Sequence, residues 1–391
     1  MSEVLARIRV RETAGIRRFL YPLTAAVYIP LEINPDVIKA YKDKTYKDKI
    51  YEELYGNVCL RDLSGQNVPC QFVDLTKMAR LPETRLDFAL SLTSGETKEL
   101  VVLREASSVA IPDPLKLASS LHDGDEGLKN TQERFAITIA PEGNITEVVY
   151  DGIRHLRGPS QVQLNGKTAW FSSAVSLPNG NASLAAWLSA KNRYADGDFA
   201  QTRVELTACK SWATVTHTLE QPKQGDEVVF TLPLAITSPT LTCDFGVGGY
   251  VFGKLDEKAT EIVWHTEFGD APYAKWTVAT AGRVDYVGEV ATAQEFRSQR
   301  WFHLIDSDKA LAVAITVLPD DCREMTVRMT HAGEVTIAFK MGDTVAGHAD
   351  FGVCYHFLND VPANAAATNP QSILLPPVVE VLPAQFWGAG S

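Results

Sequence analysis

The sequence contains no basic run, and its formal net charge is −11 with a pI near 5.3. A nucleic-acid partner is therefore not expected, because no basic run stands out to neutralise a phosphate backbone. The opening "MSEVLARIRVRETAG" is charged throughout and has no apolar core, so no secretory leader is read there. No apolar run approaches the roughly 18 residues that a membrane span needs, and no membrane contact is expected. The six cysteines, Cys59, Cys70, Cys209, Cys243, Cys322 and Cys354, are scattered and form no CxxC pair. Free thiols in a reducing compartment are expected, which points to a cytoplasmic protein. There is no GxSxG elbow, no Walker loop and no HExxH. No two of the eight histidines have local metal-ligand spacing, so neither a metal nor another cofactor is expected.

What the chain does have is alternation with a period of two. "ARIRVRE", "RFAITIAPEGNITEVVYDG", "TRVELTACKSWATVTHTLE" and "MTVRMTHAGEVTIAFKMG" are short runs rich in Val, Ile, Thr and aromatics, separated by Gly-containing turns. This is the pattern of antiparallel sheets with one buried face. The fold class is all-β: a small N-terminal β unit over 1–105, then a large antiparallel β-sandwich over 106–391. Asn34 as N-cap, Pro35 at the first helical position and Gly56 past the end predict a helical insertion over 34–56. Its tyrosines and lysines suit a lid or a homo-oligomer contact. The prolines of "PQSILLPPVVEVLP" keep that tail out of any central strand.

Chemistry-bearing residues gather in a few places. "RSQRWFHLIDSDKALAVAI" reads as a hairpin whose first strand carries Arg297, Arg300, Trp301 and His303. Alternation places Trp301 and His303 on one face and Phe302 and Leu304 on the other, so the first pair is expected to face solvent or a cleft. The plainer reading is an amphipathic outer strand with a cation–π pair. "YAKWTVATAGRVDYVGE" adds Trp276 and Arg283, "GVGGYVFGKL" adds Tyr250, "VWHTEFGD" adds His265, and "CYHFLND" supplies Tyr355 and His356. Aromatic faces stack on pyranose rings, and arginines grip hydroxyls or a uronate carboxylate. An oligosaccharide is therefore the expected substrate. Arg283, Arg297, Arg300, Trp301, Trp276 and His356 are its candidate binding residues.

"VRETAGIRRFLYPLTAAVYIP" followed by "VCLRDLSGQNVPCQFVDL" resembles the opening of exo-rhamnogalacturonan lyase-like proteins, through an R-E-T-A-G-x-x-R start and a D-x-x-G-x-x-V-P-x-Q-F strand pair. The region from about 130 to 360 resembles the β-supersandwich of the galactose-mutarotase-like class. These resemblances imply a carbohydrate-active enzyme, with lyase-type β-elimination on a uronate-containing fragment as the leading reaction. His303, His265, Tyr250 and Tyr355 are the candidate bases or acids, and an arginine would steady the enediolate. No catalytic motif of the family matches position by position, so none of these roles is carried over from it. Two alternatives stand beside this one. One is a glycoside hydrolase with a carboxylate pair drawn from Asp244, Glu267, Asp270, Asp285 and Glu289. The other is a non-catalytic sugar-binding or assembly subunit.

Overall fold

The computed structural model describes residues 2–29, 57–74, 83–105, 128–131, 134–169, 171–177, 184–195, 197–207, 210–245, 251–268, 273–280, 283–291, 300–307, 309–343, 347–359 and 370–383. The helix expected over 34–56 lies outside them, as do Tyr250 and Arg297. The described chain is almost entirely antiparallel sheet, as the alternation requires. It divides into two compact units. One comprises Met1–Leu117, Ala182–Ala185 and Leu375–Ser391, the other Ala118–Asn181 and Ala186–Leu374.

The first unit holds a five-stranded and a three-stranded sheet. In the five-stranded sheet, Glu3–Arg11 lies between Thr97–Arg104 and Val378–Pro383. Ile8 and Val10 are fully buried, while Arg9 between them is half-exposed and Arg11 exposed. The tail forms the last strand on one side of this sheet, which suits a segment whose prolines cannot donate to a ladder. The "RETAG" motif turns out to be a structural knot. Glu12 accepts hydrogen bonds from the backbone N–H of Ala14 (3.1 Å), Gly15 (2.8 Å) and Gly95 (3.1 Å), and from Arg18 Nη2 (3.2 Å). Both side chains of the Glu12–Arg18 pair are fully buried. Gly15 sits at φ +75°, a conformation that suits glycine. The second motif is also structural. Asp62 accepts from Ser64 Oγ (2.6 Å) and the Gln66 N–H (2.9 Å), closing a tight turn over Gly65.

The second unit holds a nine-stranded sheet, an eight-stranded sheet and a small four-stranded sheet. Across the nine-stranded sheet the order is Phe171–Leu177, Ala185–Arg193, Phe199–Thr207, Trp212–Leu219, Ala349–Asn359, Lys309–Val317, Trp301–Asp306, Leu241–Phe245 and Val251–Leu255. The eight-stranded sheet packs against it. Phe339 and Phe230 of the eight-stranded sheet meet Phe351 and His217 of the nine-stranded one, with ring centroids 5.4 and 6.3 Å apart. These phenylalanines are essentially unexposed, each contributing about 2–3 kcal/mol by burial. The expected hairpin forms, with Asp306 pairing Lys309 and Ser307 at φ 47° in the turn. The five described cysteines, Cys59, Cys70, Cys243, Cys322 and Cys354, are buried free thiols. No helix of the described chain is long and apolar enough to cross a membrane.

Candidate sugar-binding face of the nine-stranded sheet

The two faces of the nine-stranded sheet differ in chemistry where Phe199–Thr207 and Trp212–Leu219 alternate buried and half-exposed residues. In "TRVELT", Thr202, Val204 and Leu206 are buried, while Arg203 and Glu205 are half-exposed. In "WATVTHTL", Val215, His217 and Leu219 are buried against the partner sheet, while Thr214, Thr216 and Thr218 turn away. Residues paired across antiparallel strands project to the same side. The register therefore builds polar rows across the second face. One runs Glu205, Thr214, Cys354, Ala314, Trp301. The next runs Trp212, His356, Ala312, His303. Further along, Arg203 pairs Thr216, and Gln201 pairs Thr218, which pairs Asp350.

A cleft of about 460 Å³ opens on this face, lined by Gln201, Arg203, Glu205, Thr214, Thr216, Thr218 and Asp350. Arg203 Nη2 donates to Glu205 Oε2 (2.9 Å), and its guanidinium lies 4.8 Å above the buried Trp187 ring. Thr218 Oγ1 donates to Asp350 Oδ1 (2.6 Å), and Gln201 Nε2 donates to Ser189 Oγ. The cleft thus offers a fixed cation, two carboxylates, an amide and three hydroxyls over one stretch of sheet. None of its lining residues was among the sequence candidates. The signal was present, since every second residue of "QTRVELT" and "ATVTHTL" is polar on the side facing away from the core.

Beside the cleft, the sheet gathers part of the sequence-predicted set. Trp301 and His303 stack, with centroids 5.8 Å apart and planes at 27°, and His356 meets Trp212 edge-on at 4.8 Å. Trp301 and His303 do lie on the side away from Phe302 and Leu304. Of the two expected surroundings, solvent or a cleft, the solvent-facing one is corrected, since they are only 5% and 4% exposed. Their strand lies inside the sheet and carries side chains buried on both faces, and the stacked rings cover one another. Burial pushes the His303 imidazole down to about 4, and burial together with Lys210 pushes His356 down to about 3, so both are neutral at pH 7. The Cys354 thiol, 3.7 Å from His356 Nε2, is pushed up to about 12 by burial and stays protonated.

The other candidates are placed elsewhere. Tyr355 pairs Ala213 and Val313 on the core side of the same sheet, the face opposite His356. It is 2% exposed, and burial raises its phenol well above the ordinary value. His265 stands on the eight-stranded sheet, with Nδ1 2.9 Å from Thr326 Oγ1 and Nε2 3.4 Å from Glu267 Oε1. Trp276 and Arg283 belong to the last two strands of that sheet, where their backbones pair Trp264 and Thr280. Arg300 enters the Trp301 strand at φ 28°. Among the described residues no group of three or more His, Cys, Asp or Glu is placed to hold a metal ion.

No protein-family model matches the chain, and no curated protein matches it. Among solved structures, an alpha-mannosidase from Enterococcus faecalis V583 is similar, with a TM-score of 0.55 and 11% identity over 96% of this chain and 46% of that one. A protein in the glycosyl hydrolase family 38 from Enterococcus faecalis gives a TM-score of 0.53 and 10% identity, over 96% of this chain and 47% of that one. The chain thus spans about half the length of these structures, and at such identities the likeness is one of fold.

Proposed function

We propose that this protein is carbohydrate-active and takes an oligosaccharide in the cleft on the nine-stranded sheet. The observation that carries the reading is the Arg203 guanidinium, braced between the Trp187 ring and Glu205 beside the three threonine hydroxyls and Asp350. A planar cation held by a ring and an acid gives fixed donors, and the hydroxyls and carboxylates match the dense hydroxyls of a sugar. The fold likeness to an alpha-mannosidase and a glycosyl hydrolase family 38 protein agrees with this ligand class. Recognition is the primary role. The lyase reading draws little support from the cleft, since neither His303, His265 nor Tyr355 is among its described lining residues.

A hydrolytic reading comes second, because Glu205 and Asp350 line the same cleft. Two strand spacings and four residues separate their backbones, about 17 Å, whereas a glycosidase pair needs its carboxyl groups about 5–9.5 Å apart. Glu205 is drawn to Arg203, and Asp350 to Thr218, rather than toward each other. The test is titration with neutral and uronate-containing oligosaccharide mixtures, comparing the native protein with Arg203→Ala. Binding should weaken about tenfold or more in the variant, the scale of one lost charge-assisted hydrogen bond. Equal binding by both proteins would refute the cleft. New reducing ends would establish hydrolysis, and an unsaturated-uronate absorbance would establish elimination.

A further inference from the structure

The cleft is not electrically even. Its lining carries one arginine against two carboxylates, Glu205 and Asp350. Glu205 takes the Arg203 hydrogen bond, and it lies two residues along the strand on the side away from Gln201 and Asp350. Asp350 is left with a neutral partner, the Thr218 hydroxyl at 2.6 Å. An ionised carboxylate only accepts, so the Thr218 proton is committed to it and the Thr218 oxygen offers a ligand lone pairs alone. Beside them, Gln201 gives an amide N–H to Ser189 Oγ. That leaves its carbonyl oxygen to accept and its second N–H as the one side-chain donor of this end. The opposite end is the reverse, since Arg203 keeps further N–H groups beyond the one given to Glu205. The cleft therefore runs from donors at Arg203 to acceptors at Asp350. Their backbones are two strand spacings and two residues apart, about 12 Å.

The other cations of this face stand farther from Asp350. The Lys210 ammonium lies 5.1 Å from the centre of the Trp212 ring. Trp212 pairs His356, which is six residues along the strand from Asp350, about 20 Å. Lys191 is exposed on the strand of Ser189, three strand spacings or about 14 Å away, and Arg193 beyond it covers the Phe199 ring. Exposed charges at such separations are largely screened. Exposed His348, two residues from Asp350, makes no ion pair with it.

We infer that the Asp350 end of the cleft is a subsite for a sugar unit bearing an ammonium group, with Asp350 as the residue that selects it. This assignment rests on the reading of the cleft as a carbohydrate site and narrows its substrate class. An ammonium has three donors and no acceptor. It matches an end built from Asp350, the Thr218 oxygen and the Gln201 carbonyl, and it supplies the counter-charge that Asp350 lacks. A neutral hydroxyl would satisfy the hydrogen bonds and leave the charge unmatched. A uronate carboxylate would bring a second negative charge, and acceptors only, to an end made of acceptors. A carboxylate on the ligand is therefore left to the Arg203 end.

Three sugars that differ in one substituent test this on the full chain at pH 7: D-galactosamine, D-galactose and D-galacturonate. Nuclear magnetic resonance follows the methyl groups of Thr214 and Thr218, which stand at opposite ends of the lining. Galactosamine should bind about tenfold or more tighter than galactose, the gap between a charge-assisted and a neutral hydrogen bond. It should shift Thr218 more than Thr214, and galacturonate should act weakest at Thr218. The preference for galactosamine should shrink in about 0.5 M salt, which screens an exposed charge pair. Asp350→Asn keeps the shape and removes the charge, so it should bring galactosamine to the level of galactose. Should that variant fail to fold, the salt series on the native protein decides. Equal binding of the three sugars, binding of none, or a preference untouched by salt or by Asp350→Asn would overturn the inference. Arg203→Ala is run in parallel with oligosaccharides. Binding that depends on Arg203, without any preference for galactosamine, sinks this inference and leaves the cleft reading standing. An Asp350-dependent preference, with oligosaccharide binding indifferent to Arg203, does the reverse.

Discussion

A Cβ at Gly352 would lie 2.5 Å from Thr316 Oγ1 and 2.9 Å from Val317 Cγ2. The cause is a bulge, since the register between Lys309–Val317 and Ala349–Asn359 shifts between Ile315 and Val317 and swings Thr316 toward the neighbouring strand. Gly352→Ala should lower stability by about 1–3 kcal/mol, the usual cost of forcing a methyl into filled space. Urea denaturation reads this directly, and an unchanged midpoint would mean that the bulge gives way. Trp301 makes a different point. Had it faced solvent, its loss would have been nearly free. At 5% exposure, Trp301→Ala should cost about 3–5 kcal/mol, so a binding defect in that variant has to be separated from unfolding by a melt.

Strand pairs determine which of these residues can meet. Tyr355 and His356 are neighbours in sequence, yet a pleated strand sends them to opposite faces, and only His356 joins the Trp301 rows. In the sequence the two stand side by side, and proximity along the chain does not separate them. The alternation of "TRVELTACKSWATVTHTLE" was enough to give the strands and to sort their faces. It could not give strand order, because Trp212 pairs His356 and His356 pairs Ala312 across long stretches of intervening chain. The cleft lies on such non-local pairings, so its residues were visible singly as outward polar positions but not as a group. The "RETAG" motif shows the converse. It was legible as a motif, and its role is to tie the Glu12 turn to the Gly95 hairpin. Replacing Glu12 by Gln would leave Arg18 charged and buried without its counter-ion. Loss of about 3–5 kcal/mol is expected, measured as a shift of the denaturation midpoint, with the native protein at the same pH as reference. Burial alone would raise the Glu12 carboxyl, but the hydrogen bonds from Gly95, Ala14, Arg18 and Ile16 outweigh it and hold the group low. Its contribution is therefore complete above the ordinary carboxylate range and disappears as pH falls below it.

Across the larger unit, acid should act earlier, through histidine. Burial pushes His155, His217 and His303 from 6.5 to about 4, and His356 to about 3. Lys309 adds to the shift of His155, against the pull of Asp306. With the folded values below the unfolded ones, the unfolded chain takes up protons first as pH falls from about 6.5 toward 4. The folded state then loses about 1.4 kcal/mol per pH unit for each such histidine, or up to about 5 kcal/mol per unit for the four together. Melting temperature should be flat from pH 8 to pH 7 and fall steeply below about pH 6. A flat profile down to about pH 4.5 would mean that these imidazoles are not held neutral by the fold. Acid loss of this kind would precede the carboxylate-dependent loss at Glu12, so the two should appear as separate limbs in a pH series.

The pairing of Glu3–Arg11 with Val378–Pro383 also carries a consequence in time. One neighbour of that strand, Thr97–Arg104, follows it within about a hundred residues of chain. The other is made only after the sequence of both large sheets has been translated, which at about 5–20 residues per second is a wait of roughly 20–70 s. Throughout that interval one side of Glu3–Arg11 is an open ladder, the kind of edge that recruits other nascent chains. Arg7, Arg9 and Arg11 line the outward positions of that strand, and charge along an open edge is a known deterrent to such pairing. When the tail arrives, Glu380 meets Arg11 at 2.7 Å. The charges that protect the strand while it waits thus help receive its partner once that segment is made.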